Sequence, residues 1–408
     1  MNPCRFCAAP LTHVFCDLGL TPLANEYPIA LGAAAAQTFY PLSAHVCSEC
    51  WLVQVAQYET PENLFSRYAY FSSYSASWLE HAKRYAYAMK NRLHLGQDNL
   101  VIEIASNDGY LLRYFLEQDI PVLGVEPALN AAAAAQALGI RTVTRFLDTA
   151  LAESLVEQGT QADLLVANNV LAHVPDLNDF VRALAMLLKP EGVLTLEFPH
   201  LLKMIQGNQF DTLYHEHFSY FSLATAQKVL EKHGLALFDV EELSTHGGSL
   251  RLYAQTSRGR HATTQHIERV IGEERAAGLG QLPVYQAFQM RADETRDALL
   301  TFLIQARREG KTVAGYGAAA KGNTFLNYCG VRGSLIGYVV DASPHKQGRL
   351  LPGTHVPIHP VERLAQTRPD YILILAWNLK DEIMEQMRAV RDWGAKFVVA
   401  VPRLEVLA

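Results

Sequence analysis

Tyr214-His215-Glu216-His217 sets four titratable side chains in consecutive positions, within the run QFDTLYHEHFSYFS. An imidazole can take a proton near neutral pH, and a carboxylate beside it can orient the ring or raise its basicity. Proton transfer is the chemistry this cluster suits best. Metal ligation by the two histidines and an ordinary polar surface stretch are the other readings.

Two further groups of residues carry a chemical signal. Cys4-x2-Cys7 and Cys47-x2-Cys50 are paired thiols, and two such pairs supply the four soft ligands of tetrahedral zinc. A four-cysteine site leaves no open coordination position, so the expected metal is structural. Cys16, His13 and His45 are possible substitutes, though loop or packing roles suit them better; Cys329 stands alone and reads as a small buried hydrophobe.

The second group follows a strand: in Val101-Ile-Glu-Ile-Ala-Ser-Asn-Asp-Gly109 a small-residue turn lets the backbone approach a ligand closely. Only Gly109 stands where such loops usually carry several glycines. Glu126 ends the next strand, where a carboxylate can accept from both hydroxyls of a ribose. A plain strand-end turn and a solvated acid are the bland alternatives.

Asn168 and Asn169 close a later strand and His173 follows about one helical turn on, which faces all three into the crevice where open α/β sheets bind ligands. Capping is the alternative for the asparagines. Gly315-Tyr-Gly-Ala-Ala-Ala-Lys321-Gly is a second glycine loop between strand and helix. It lacks P-loop spacing. With Asp341 it could hold a nicotinamide cofactor, or equally the pyrophosphate of a nucleotide substrate. Lys321, Lys346 and Arg349 are candidate phosphate partners, or solvated surface charges.

The elements that must position these residues fall into three stretches. Residues 1–75 are rich in Cys, Pro and aromatics and need a staple. In residues 76–255, NLVIEIA, PVLGVEP, IRTVTRF, ADLLVANNV and GVLTLEFPH read as buried parallel strands, and LALFDVEELS with SLRLYAQT as a closing pair. Residues 256–408 open with a helical arm, broken near Gly278 and Pro283, and continue into a second, smaller α/β unit.

The chain has 408 residues, half of them hydrophobic and 19% charged, an ordinary globular composition that calls for more than one core. A net charge of −6 disfavours a general nucleic-acid binder. The start, MNPCRFCAAPLTH, lacks a secretory layout, and no run of about 18 apolar residues occurs. A cytoplasmic protein with no membrane partner is expected.

The CxxC pairs, EIASNDGYLL, GVEPA, YHEHFSYFS, HGGSLR and GYGAAAKGNT, taken together, resemble the sugar C-methyltransferase family of deoxysugar biosynthesis. The resemblance spans nearly the whole chain in the same order. It implies an α/β chain of three parts. These are a zinc-binding module (1–75), a seven-stranded class I methyltransferase domain for S-adenosylmethionine (76–255), and a Rossmann-like C-terminal domain that helps bind a nucleotide sugar (256–408).

It also implies roles. His217 matches the base that removes a proton next to a 4-keto group, with Glu216 orienting it; Tyr214 and one of Tyr68, Tyr70 or Tyr74 would donate to the enolate oxygen. Glu103, Ala105, Asn107 and Gly109 would line the cofactor from one strand, and Glu126, Pro127 and Asn168 from the strands beside it. Asn169, His173, Lys321, Lys346 and Arg349 would face the substrate. The glycines of His246-Gly-Gly248 mark close backbone approach. Rival readings are an O- or N-methyltransferase, an NAD-dependent oxidoreductase using the second glycine loop, and a non-enzymatic zinc module.

Overall fold

The apolar runs of residues 99–255 become strands covered on both faces, which is why they read as near-continuous rather than alternating hydrophobics. A computed structural model describes residues 3–29, 37–65 and 71–407. It contains three sheets. The central one has seven strands in the spatial order Leu235–Leu243, Ser249–Thr256, Leu188–Pro199, Ala162–Asn168, Val101–Ile104, Val122–Val125 and Thr142–Val143. The last five run parallel, and Leu235–Leu243 and Ser249–Thr256 form the antiparallel pair at one edge.

This order reverses between Val101–Ile104 and Ala162–Asn168, and ligands of open α/β sheets bind at such a switch point. The expected strand IRTVTRF shrinks to Thr142–Val143, an edge with a partner on one side only. Few hydrogen bonds hold an edge strand that short.

A smaller antiparallel sheet is built from His13–Thr21, Tyr40–Val46, Val53–Val55 and, from far along the chain, Ser219–Tyr220. Its fourth strand is the tail of YHEHFSYFS. Backbone pairing of Val53 with Tyr220 therefore ties the histidine-rich turn to the N-terminal module. On the other side Phe15 stacks on Phe288 of the helix Phe288–Arg308, with ring centroids 4.5 Å apart. Burying such a ring contributes on the order of 2–3 kcal/mol.

The arm is helical as expected, in three pieces, Gln265–Ala276, Leu282–Gln286 and Phe288–Arg308. The first break comes where Gly278 takes φ +86°. The third sheet has the order Ile358–His359, Val339–Val340, Val313–Tyr316, Tyr371–Ile374, Lys396–Val399 and Glu405–Leu407, parallel except for the last strand. No helix among the described residues is long and apolar enough to cross a membrane.

Candidate active site

The four cysteines of the paired knuckles converge. Their Sγ atoms all lie within 4.8 Å of one another, with Cys4 to Cys50 at 3.6 Å and Cys7 to Cys47 at 3.5 Å. Four sulfurs around zinc, each about 2.3 Å from the metal, stand roughly 3.8 Å apart, so the donor set fits that ion. Gln54 Nε2 donates to Cys4 Sγ at 3.2 Å, a contact that suits a thiolate. Cys16 is buried on the strand His13–Thr21, outside this cluster.

The knuckles sit against the central domain. Cys4, Cys47 and Cys50 share one apolar cluster with Phe221, Leu223 and Val229. Asn178 Nδ2 donates to the carbonyls of Arg5 and Phe6, and Thr225 Oγ1 to that of Cys50.

At the carboxyl end of Val101–Ile104 the chain takes the left-handed conformation at every second residue: Ala105 (φ +54°), Asn107 (φ +51°) and Gly109 (φ +77°). Ala105 and Asn107 thus hold positions that glycine fills more cheaply. At Gly109 the positive φ strains any larger residue, and a Cβ there would also displace Ile140 Cδ1, 2.4 Å away. The loop is fastened to Glu126, whose Oε2 accepts from Asn107 N and Oε1 from Ala128 N, both at 2.8 Å. Each oxygen keeps a lone pair for a further donor.

Orphaned acceptors gather around this loop. Glu103 Oε2, Asp108 Oδ1 and Asn168 Oδ1 are buried without a hydrogen-bond partner among the described residues. Such atoms are costly unless a ligand satisfies them. Burial pushes the Glu103 carboxyl well up, and Tyr110 hydrogen-bonds to it. Ser72 N and Ser73 N donate to Asn107 Oδ1 and Asp108 Oδ2, so the segment beginning at Phe71 closes over the loop.

The Tyr214–His217 turn lies beyond the strand Leu188–Pro199 of the central sheet. His217 Nδ1–H donates to Thr212 O at 3.2 Å, which leaves Nε2 to accept from the Tyr214 hydroxyl at 2.6 Å. The His173 ring lies 4.6 Å away at 72°, and its Nδ1 donates to Glu216 O at 2.8 Å. Burial, reinforced by His173, pushes His217 well below the usual imidazole range; burial takes His173 down to about 4. Both rings are neutral at pH 7.

Comparison with known proteins bears on what this cluster does. Residues 4–65 match a family described as a zinc binding domain, residues 78–240 a methyltransferase domain, and residues 244–402 a C-methyltransferase C-terminal domain. C-methyltransferase NovU from Streptomyces niveus is 33% identical over 408 residues, 100% of this chain and 97% of that one. The chain belongs to the C-methyltransferase family.

A ubiquinone biosynthesis O-methyltransferase from Bartonella tribocorum is 30% identical over 106 residues, 24% of this chain and 40% of that one. The structure of magnesium protoporphyrin IX methyltransferase (ChlM) from Synechocystis PCC 6803 with bound SAM has 18% identity and a TM-score of 0.33, covering 44% of this chain and 79% of that one. As a member of its family the chain is an S-adenosylmethionine-dependent enzyme with a zinc-binding N-terminal module.

In this C-methyltransferase the residues singled out from sequence are not all neighbours. Glu216 does not orient His217. Its carboxylate is turned to Asn25, and the Thr212 carbonyl and Tyr214 hydroxyl hold the imidazole instead. His215 leaves the cluster as well: its Nε2 donates to Pro41 O at 3.2 Å, and its ring packs edge-on to Tyr40 and Tyr58. The two histidines therefore form no metal site, and among the described residues only the four cysteines do.

Asn169 takes φ +55° with its N–H on Glu197 O, and Pro127, half-buried, follows Glu126 outside any helix or strand. Lys346 Nζ donates to Ala318 O and Arg349 to Tyr27 O, so both hold loop backbone. Tyr68 and Tyr70 lie outside the described residues. Tyr74 is described and its hydroxyl contacts His345 Nε2 at 3.1 Å.

Lys321 lies where the C-terminal domain meets the central one. Its ammonium lies 4.6 Å over the Trp377 ring and 3.4 Å from His246 O, while Trp377 Nε1 donates to the buried Asp211, one residue before Thr212. Burial raises the Asp211 carboxyl to about 6, opposed by the Lys321 charge. Gly247, flagged for close approach, would place a Cβ 2.5 Å from Trp377. Asp211, Trp377 and Asn25 carry no motif and are missed from sequence, because their partners come from other domains.

The Glu126 contacts predict a measurable effect. Glu126→Ala removes the acceptor of two backbone amides that shape the loop, and a hydrogen bond to a charged group is worth about 1.5–3 kcal/mol. Affinity for S-adenosylhomocysteine by calorimetry should fall by at least about tenfold. An unchanged affinity would remove Glu126 from the cofactor site.

Proposed function

We propose that the chain methylates a carbon of a nucleotide-linked 4-keto-deoxysugar, dTDP-linked and at C3, through an enolate. The observation that carries this reading is the neutral His217 with its tautomer held by Thr212 and a phenol on its basic nitrogen. That is the pairing a carbon acid needs: a base for the C–H and a donor for the oxygen that gains charge.

The ketone makes the adjacent C–H acidic, and His217 Nε2 takes that proton. The phenol O–H that now fills Nε2 is released to the ketone oxygen when the substrate C–H takes its place. S-adenosylmethionine supplies an electrophilic methyl group on a sulfonium. The enolate carbon bonds to the methyl as its bond to sulfur breaks, which neutralises both charges, and His217 returns its proton to water.

Glu126 would hold the cofactor's ribose, with Asn107, Gly109 and Asn168 around it. Asn169 and His173 would face the sugar, and Lys321 a negative oxygen of the substrate. Residues 1–75 then carry the structural metal, 76–255 the methyl donor, and 256–408 the far wall of the sugar site, in a cytoplasmic enzyme.

The test is deuterium wash-in at C3 of dTDP-4-keto-6-deoxyglucose, followed by mass spectrometry, after calorimetric titration with S-adenosylhomocysteine. Micromolar binding with exchange is the expected result. Binding without exchange would point to another substrate or to an oxygen or nitrogen nucleophile.

A further inference from the structure

The segment Pro22–Ile29 leaves the end of the strand His13–Thr21 and is fastened to the C-terminal domain along its length. Ala24 O accepts from Asn323 Nδ2 at 2.6 Å, the Tyr27 hydroxyl donates to Ala318 O at 2.7 Å, and Pro28 O accepts from Leu350 N at 3.0 Å. Asn25 reaches to Glu216, with Nδ2 at 2.9 Å from Oε1 and 2.8 Å from Oε2.

Glu216 is 3% exposed, and among the described residues no lysine or arginine pairs with it. Two opposed effects act on its carboxyl. Burial favours the neutral acid, whereas an amide NH2 has donors only and so suits a carboxylate's two acceptor oxygens but not an acid O–H. The balance stands at about 7.

The titratable groups around it are Tyr27 on the same segment, with Lys346 5.4 Å from the Tyr27 ring, His173, which donates to the Glu216 carbonyl, and His217 next in sequence. Both imidazoles are neutral, and Lys346 is engaged by Ala318 O and by Asp341 at 3.9 Å. Asn25 is therefore the donor that decides the charge of Glu216.

We infer that Asn25, carried by the N-terminal module, is a positioning residue that keeps Glu216 ionised as the acceptor for a hydroxyl of the substrate. The module then contributes to the reaction as well as to the fold. The substrate contact of Glu216 and the rate readout rest on the proposed sugar chemistry; the hold of Asn25 on the charge of Glu216 does not.

Two variants of the zinc-loaded, full-length enzyme test it, Asn25→Leu and Asn25→Asp. The protonated-carboxyl infrared band of Glu216, assigned by its loss in Glu216→Gln, is titrated with pH in the enzyme alone. The midpoint should rise by about one pH unit or more in both variants, because one loses the donor and the other adds a like charge. On the sugar substrate, kcat/KM should fall about fivefold at pH 7 and less than about twofold at pH 9.

An unmoved midpoint would overturn the inference, and so would an equal loss of kcat/KM at every pH, which is what a purely structural residue produces. If the wild-type enzyme does not turn over the keto sugar, the substrate reading fails by itself, and the infrared midpoint still decides whether Asn25 sets the charge of Glu216.

Discussion

His217→Ala should lower kcat by about 10²–10⁴-fold, the usual contribution of a positioned acid or base. It should also abolish deuterium exchange next to the ketone while leaving cofactor affinity within about twofold, since the ring is not expected to touch the cofactor's ribose. In the proposed mechanism exchange comes before methyl transfer and needs no methyl donor, so it reads the base alone. Exchange that survives in His217→Ala would assign the proton to another group.

The pH dependence has a definite sign. Burial and His173 depress the His217 pKa, and the proposed base is the neutral ring, so His217 should stay competent as pH falls through 7 and be lost only well below 6.5. Glu216, raised by burial to about 7, loses its charge first. Descending from pH 9, rates should therefore weaken near neutrality and fail completely only at clearly lower pH. A single transition at the ordinary imidazole value would show that His217 is more hydrated than the geometry indicates.

Cys47→Ser should remove the metal and with it much of the stability. Structural zinc sites bind with about 10–16 kcal/mol in finger peptides, comparable with the whole folding free energy of a domain, about 5–15 kcal/mol. Cys47 is fully buried, and its cluster joins the knuckles to Leu223 and Val229 of the central domain. Losing the metal would loosen that contact, the pairing of Val53 with Tyr220, and the segment bearing Asn25.

The expected outcome is loss of one metal equivalent by elemental analysis, with a much lower Tm or insoluble protein. Cys16→Ser, whose sulfur lies outside the cluster, should keep the metal. Full zinc occupancy and an unchanged Tm in Cys47→Ser would show that the Cys47 thiol is dispensable.

What was legible in the sequence was what local chemistry controls. Strands covered on both faces must be apolar throughout, so VIEI, VLGV and ADLLVAN declare themselves, and a seven-stranded sheet follows from their number and order. Two CxxC spacings suffice for a metal site, because a turn that tight presents both sulfurs to one side. The loop after Val101–Ile104 was weaker only because Ala105 and Asn107 adopt the left-handed conformation that sequence reading looks for in glycine.

Tertiary structure alone decided which neighbours in sequence are neighbours in space. Glu216 and His217 are adjacent, yet the turn closed by His217 N on Tyr214 O sends their side chains apart, one to Asn25 and the other to Thr212 O and Tyr214. Asn25 precedes Glu216 by 191 residues, and Lys321, from a helix of the C-terminal region, reaches His246 O beside the central sheet. Patterns of hydrophobicity and spacing record how each element buries its own face. They hold no information about which loops meet when three sheets pack together, and the chemistry of this cleft is made by those meetings.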